Sequence, residues 1–120
     1  MEFNQYNTTV QQWIHTVLEN RETNADVVLE CCRDIIAYGR ETDDPKLMGF
    51  GFFYGGEIYY ELNDGAHFFH MMTEALTYLD RAEEWELVVR CYNFLGIASM
   101  SRGNPSLALD YYMNLSLIHI

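Results

Sequence analysis

The sequence predicts an all-α fold of about six helices. Three observations lead there: apolar residues return at steps of three and four along nearly the whole chain, strand-like alternation is nowhere sustained, and the interruptions are short and rich in capping residues. With 120 residues, 49% of them hydrophobic and 15% aromatic, the chain has one domain's length and enough apolar side chains for a core.

The first helix is expected from about residue 4 to 20, because Phe3, Tyr6, Val10, Trp13 and Val17 step by three and four while Ile14 and Leu18 widen the stripe. "NRETN" ends it. Asn24 can N-cap a second helix, with Val28, Cys31, Cys32, Ile35 and Ile36 facing inward, that lasts until "ETDD" near residue 42. Asp44 followed by Pro45 opens the third, since proline at the first helical position loses no hydrogen bond, and Asn104 before Pro105 repeats the device at the sixth. "NDG" at 63–65 divides the third helix from the fourth, and the acidic "DRAEEW" at 80–85 divides the fourth from the fifth. The helices fall into three pairs, about 4–42, 45–80 and 84–118, within a single domain over 1–120.

The third helix carries "MGFGFFYGGEIYYELND", in which Gly49, Gly51 and Gly55 resemble a phosphate-cradling loop. A dinucleotide fingerprint requires a hydrophobic strand before its glycines, and "RETDDPKL" is not one. Leu47, Gly51, Phe52, Gly55, Ile58, Tyr59 and Leu62 instead hold a helical period through the glycines, although each costs a helix about 1 kcal/mol relative to alanine. Gly51, Gly55 and Gly96 are therefore expected at close helix crossings.

Eighteen acids against seven bases give a net charge of -11, and Lys46 is the only lysine. Nucleic acid and anionic membrane surfaces need basic neutralisation, so neither is an expected partner. No apolar run approaches the roughly 20 residues that span a bilayer, and "MEFNQYNTTV" lacks a basic and then apolar leader pattern; a cytoplasmic location is expected. Cys31, Cys32 and Cys91 form no CxxC pair and read as buried, inert thiols. His67, His70 and Glu74 share one face of the fourth helix and could seat a metal, but two histidines on one helix need a further ligand, and neither HExxH nor ExxH is present. His15 and His119 stand alone, and no serine or cysteine has a nucleophile frame such as GxSxG. No catalytic residue, metal or cofactor is assigned, and a metal-assisted hydrolase on His67 and His70 ranks last among the functions.

An offset of forty aligns 52–75 with 92–115. In the later unit Tyr92, Leu95, Gly96, Gly103, Ala108, Tyr112 and Leu115 resemble the tetratricopeptide signature. The earlier unit offers Phe52, Gly55, Gly56, Tyr59, Phe68, Met72 and Ala75, with Asn63 at the turn glycine; large and small are exchanged, so that Phe68 is expected to fill the space above Gly55. The resemblance to tetratricopeptide-like (TPR-like) repeats implies a right-handed superhelical stack of antiparallel helix pairs, an α-solenoid. The long period resembles the N-terminal regions of bacterial signalling proteins, including some diguanylate cyclases, and of peptide-sensing regulators. It implies a non-enzymatic sensor or scaffold segment that binds a protein or peptide in its concave groove, within a longer cytoplasmic protein. By the resemblance, groove contacts come from Phe50, Phe53, Tyr54, Glu57 and Tyr60 on the third helix and from Arg90, Asn93, Phe94, Ile97 and Met100 on the fifth. The alternative use of these aromatics is packing against the neighbouring repeat. The net acidity and Glu57 favour a basic or amphipathic partner segment. The ending "YYMNLSLIHI" has no polar outer face, which suggests either a chain that continues or a homodimer through this apolar edge.

Overall fold

A computed structural model of the chain describes residues 1–118. They form α1 (Thr8–Asn20), α2 (Ala25–Glu41), α3 (Pro45–Glu61), α4 (Gly65–Arg81), α5 (Trp85–Ser101) and α6 (Pro105–Leu115), with no strand among the described residues. His119 lies outside them.

The punctuation is more regular than the forty-residue offset alone conveys. Asn24, Asp44, Asp64, Glu84 and Asn104 stand at the N-caps of α2 to α6, one every twenty residues, and the side chains of all but Glu84 accept a hydrogen bond from the backbone N–H three residues on. The residues before the last four caps, Asp43, Asn63, Glu83 and Gly103, all have positive φ. Each of these four turns closes with the same bond from the cap's N–H to a carbonyl five residues back: Asp44 to Gly39, Asp64 to Tyr59, Glu84 to Leu79 and Asn104 to Ser99, at 2.8 to 3.0 Å. This is the Schellman arrangement, run directly into the next helix so that consecutive helices fold back on one another. Each helix packs against those before and after it, giving extents of 43 × 31 × 22 Å.

α1 departs from expectation: it begins at Thr8, because the Asn7 side chain caps the Val10 N–H. Phe3 and Tyr6 keep helical spacing but serve another purpose. The Phe3 ring meets Phe50 edge-on at 5.2 Å, and the Tyr6 hydroxyl donates to Asp44 at 2.8 Å. Lys46 pins this segment by bonding the Glu2 carbonyl and lying over the Phe3 ring.

α3 is the centre of the core, buried from Leu47 through Gly56 and again at Ile58. A helix apolar on every side must be covered on every side, here by α2 and α4, by Phe3 and Arg21 on either side of α1, and by Arg90 and Phe94 of α5. Its glycines permit this. A Cβ on Gly51 would lie 2.6 Å from Ile36 Cγ1 and 3.0 Å from the Cys32 carbonyl oxygen, so α2 crosses almost in contact with the α3 backbone; a Cβ on Gly96 would lie 2.6 Å from the Tyr112 ring. Gly55 is covered by the tip of Met71. Phe68 is buried, but against Tyr60, Phe69 and Phe94 rather than above Gly55, so the expected exchange of large for small does not operate there.

Candidate functional site

The ten residues expected to line a groove separate into three groups. Phe50, Phe53 and Tyr54 are in the core, and this corrects their assignment as groove contacts. The Phe50 and Tyr54 rings lie tilted against each other at 4.6 Å, and Phe3 covers Phe50 from outside. What remains of the hollow between α1 and α5 is about 150 Å³, lined in part by Met1, Phe3, Leu18, Tyr54 and Leu87. That is below the roughly 300 Å³ at which ligand pockets begin.

The second group forms the seam between α3 and α5. Arg21, from the turn after α1, grips Glu57 with two hydrogen bonds, Nε to Oε1 at 2.7 Å and Nη2 to Oε2 at 2.8 Å, while Arg90 of α5 donates to Oε2 at 3.1 Å. The guanidiniums also lie over aromatic rings, Arg21 at 4.9 Å from Tyr54 and Arg90 at 4.7 Å from Phe53. The hydrogen bonds to Glu57 hold the Arg21 pKa above its ordinary value, against the opposing effect of burial. Glu57 is thus occupied twice over and is not a free carboxylate for a basic ligand, which corrects its expected role. Beside it, Phe94 packs against Phe53 at 5.9 Å, Tyr60 at 5.3 Å and Phe68 at 6.3 Å.

The third group is Asn93, Ile97 and Met100, exposed on the outer side of α5. At the offset of forty they correspond to Phe53, Glu57 and Tyr60, the α3 residues that receive α5. On α6, Leu109 corresponds to Phe69, which the Arg102 guanidinium covers at 4.8 Å. Leu109 has no such cover. Ile97, Met100, Leu109 and Met113 are 48, 54, 58 and 59% exposed, and Tyr112, lying across Gly96, adds an exposed ring. Together they make an apolar edge along α5 and α6. The sequence places Asn93, Ile97 and Met100 in a groove and marks the apolar C-terminal helix separately; the repeat offset links them, because it maps Asn93 onto buried Phe53, and Ile97 and Leu109 onto Glu57 and Phe69, which arginines cover.

The chemistry-bearing residues elsewhere are engaged locally. His67 Nδ1 lies 2.8 Å from Asp64 and its ring stacks on Tyr59 at 4.8 Å, whereas His70 meets Phe52 edge-on. The His67 backbone N–H, and after it the His67 ring, hold the Asp64 carboxyl below the usual range. Among the described residues no three His, Cys, Asp or Glu side chains gather to hold a metal ion, and no buried polar side-chain atom lacks a partner. Burial pushes the Cys32 thiol up and the Cys91 thiol up to about 12, so neither is a thiolate at neutral pH. No helix among the described residues is long and apolar enough to cross a membrane. No protein-family model, curated protein or solved structure matches the chain.

Proposed function

We propose that the chain is a non-enzymatic interaction module of TPR-like helical repeats, a scaffold or sensor segment of a cytoplasmic signalling protein, and that it docks its partner on the edge formed by α5 and α6. One observation carries this reading: Asn93, Ile97 and Met100 stand exposed in the register that α3 uses to receive a helix. The partner it calls for is an amphipathic helix whose apolar side is uncharged. The hollow between α1 and α5 is a poorer candidate, since only about 150 Å³ remains beside Phe3 and Glu57 is bound by two arginines.

A fluorescent peptide spanning Trp85–Ser101 serves as the probe, because α5 is the helix that the equivalent α3 surface already accepts. Anisotropy should show saturable binding to the chain that weakens about tenfold or more in Ile97→Glu/Leu109→Glu, with the circular dichroism of both proteins alike. The loss of two central apolar contacts accounts for such a drop. Equal binding to both proteins, or to neither, would sink the assignment.

A further inference from the structure

We infer that the helix docked on this edge belongs to a second copy of the chain, the two copies meeting α5–α6 against α5–α6 about a two-fold axis. The inference rests on the edge being a docking surface, as proposed above.

Charge distribution selects the occupant. Seventeen of the eighteen acids and six of the seven bases precede Asn93, so residues 1–92 carry the entire net charge of -11, and Arg102 and Asp110 cancel in the remainder. Two molecules of such a protein repel through every surface dominated by the first four helices, and the α5–α6 edge is where they can meet without that penalty. A strongly basic partner would be drawn to the acidic helices instead.

The opposite end of the stack decides the symmetry. The outward side of α1 exposes Gln11, Gln12, His15 and Glu19, with His15 and Glu19 paired at 3.0 Å. A head-to-tail contact would press these polar groups against Ile97 and Leu109 and leave them unpaired, and it would propagate into a filament. A two-fold contact sets the apolar edge against itself and closes at two copies.

Light scattering on the chain at about 100 µM should return a mass near twice 14.1 kDa, falling toward 14.1 kDa on dilution by mass action. Raising the salt should leave the dimer intact or favour it, since the contact is uncharged. Ile97→Glu/Leu109→Glu, and independently Ile97→Lys, should remain monomeric at the same concentration with unchanged helical dichroism. A native chain at 14.1 kDa throughout, or a dimer that survives both variants, would overturn the inference. If the native chain is monomeric yet still binds the Trp85–Ser101 peptide at the edge, the second copy alone is wrong; if it is monomeric and binds no peptide, the docking surface falls with it.

Discussion

Phe53, Glu57 and Tyr60 on α3 and Asn93, Ile97 and Met100 on α5 occupy the same three register positions, forty residues apart, and meet opposite surroundings. α5 covers the first three to different degrees: Phe53 is fully buried, Glu57 is held by Arg21 and Arg90, and Tyr60 packs on Phe94 while 36% of it stays exposed. The second three face outward. The chemistry differs accordingly, with an aromatic, a carboxylate and an aromatic inside the seam, and an amide and two aliphatic side chains at the edge. A covered helix face in this molecule uses large rings and a charge cluster to fix one neighbour in one register. The uncovered face keeps apolarity but drops the charges.

The largest effects should come from breaking the seam and sparing the edge at matched positions. Phe53→Ala removes a buried ring from between α3 and α5 and should cost about 3–5 kcal/mol in urea unfolding. Asn93→Ala, at the equivalent site, should stay within about 0.5 kcal/mol. Glu57→Ala leaves two half-exposed guanidiniums facing each other without their shared carboxylate and should cost about 1–3 kcal/mol, below the range for fully buried pairs because solvent reaches both arginines. Ile97→Ala in the monomer should again be nearly silent. If both members of a pair destabilise equally, the edge is as much a part of the core as the seam.

The helices and their turns were legible in the sequence because capping is local: Asn24, Asp44 with Pro45, and Asn104 with Pro105 announce themselves within a few residues. The start of α1 was misplaced because Phe3 and Tyr6 mimic helical spacing while packing against Phe50 and Asp44, some forty residues away. Which side of α3 faces outward was not legible at all. A helix apolar on every side has no polar stripe to mark a solvent face, so choosing Phe50, Phe53 and Tyr54 as outward residues had no physical basis in α3 itself. Glu57 was the one charge in the middle of that helix, and its partners Arg21 and Arg90 come from sequence separations of 36 and 33, beyond the reach of any local pattern.

The α3 glycines sharpen what a seam requires. Gly51→Ala would drive its Cβ toward the Cys32 carbonyl, which belongs to the backbone of α2 and cannot rotate away. Overpacking toward the upper end of about 1–3 kcal/mol, against a backbone that cannot yield, should outweigh the roughly 1 kcal/mol gained in helix propensity, leaving a net loss of up to about 2 kcal/mol. Gly55→Ala meets only the terminal methyl of Met71, with Cys32 Cβ at an ordinary 3.9 Å. Here Met71 can turn aside, the propensity gain prevails, and the protein should gain about 0.5 kcal/mol in its thermal or urea midpoint. A loss at Gly55 as large as that at Gly51 would place backbone contact at both crossings.

Two small effects of opposite sign test whether the edge pair is built like the inner ones. The turns before α3, α4, α5 and α6 place Asp43, Asn63, Glu83 and Gly103 at φ 52, 58, 57 and 75, all in the left-handed region. An L-residue pays about 1–2 kcal/mol there, less for Asp and Asn, whose short polar side chains can bond locally. Glu83 has neither the freedom of glycine nor a short side chain, so the α4–α5 turn at the seam is the most strained of the four. Glu83→Gly removes that strain but adds backbone freedom to the unfolded chain, and the balance should be a gain of about 0.5 kcal/mol. Gly103→Ala introduces the strain into the α5–α6 turn, where nothing lies within 4 Å of the new Cβ, so conformational strain alone should cost about 1 kcal/mol. Urea midpoints should shift in these opposite directions with an unchanged slope. If Glu83→Gly instead destabilises, the Glu83 side chain contributes a contact that holds α5 against α4, and the seam depends on its turn as well as on its rings and arginines.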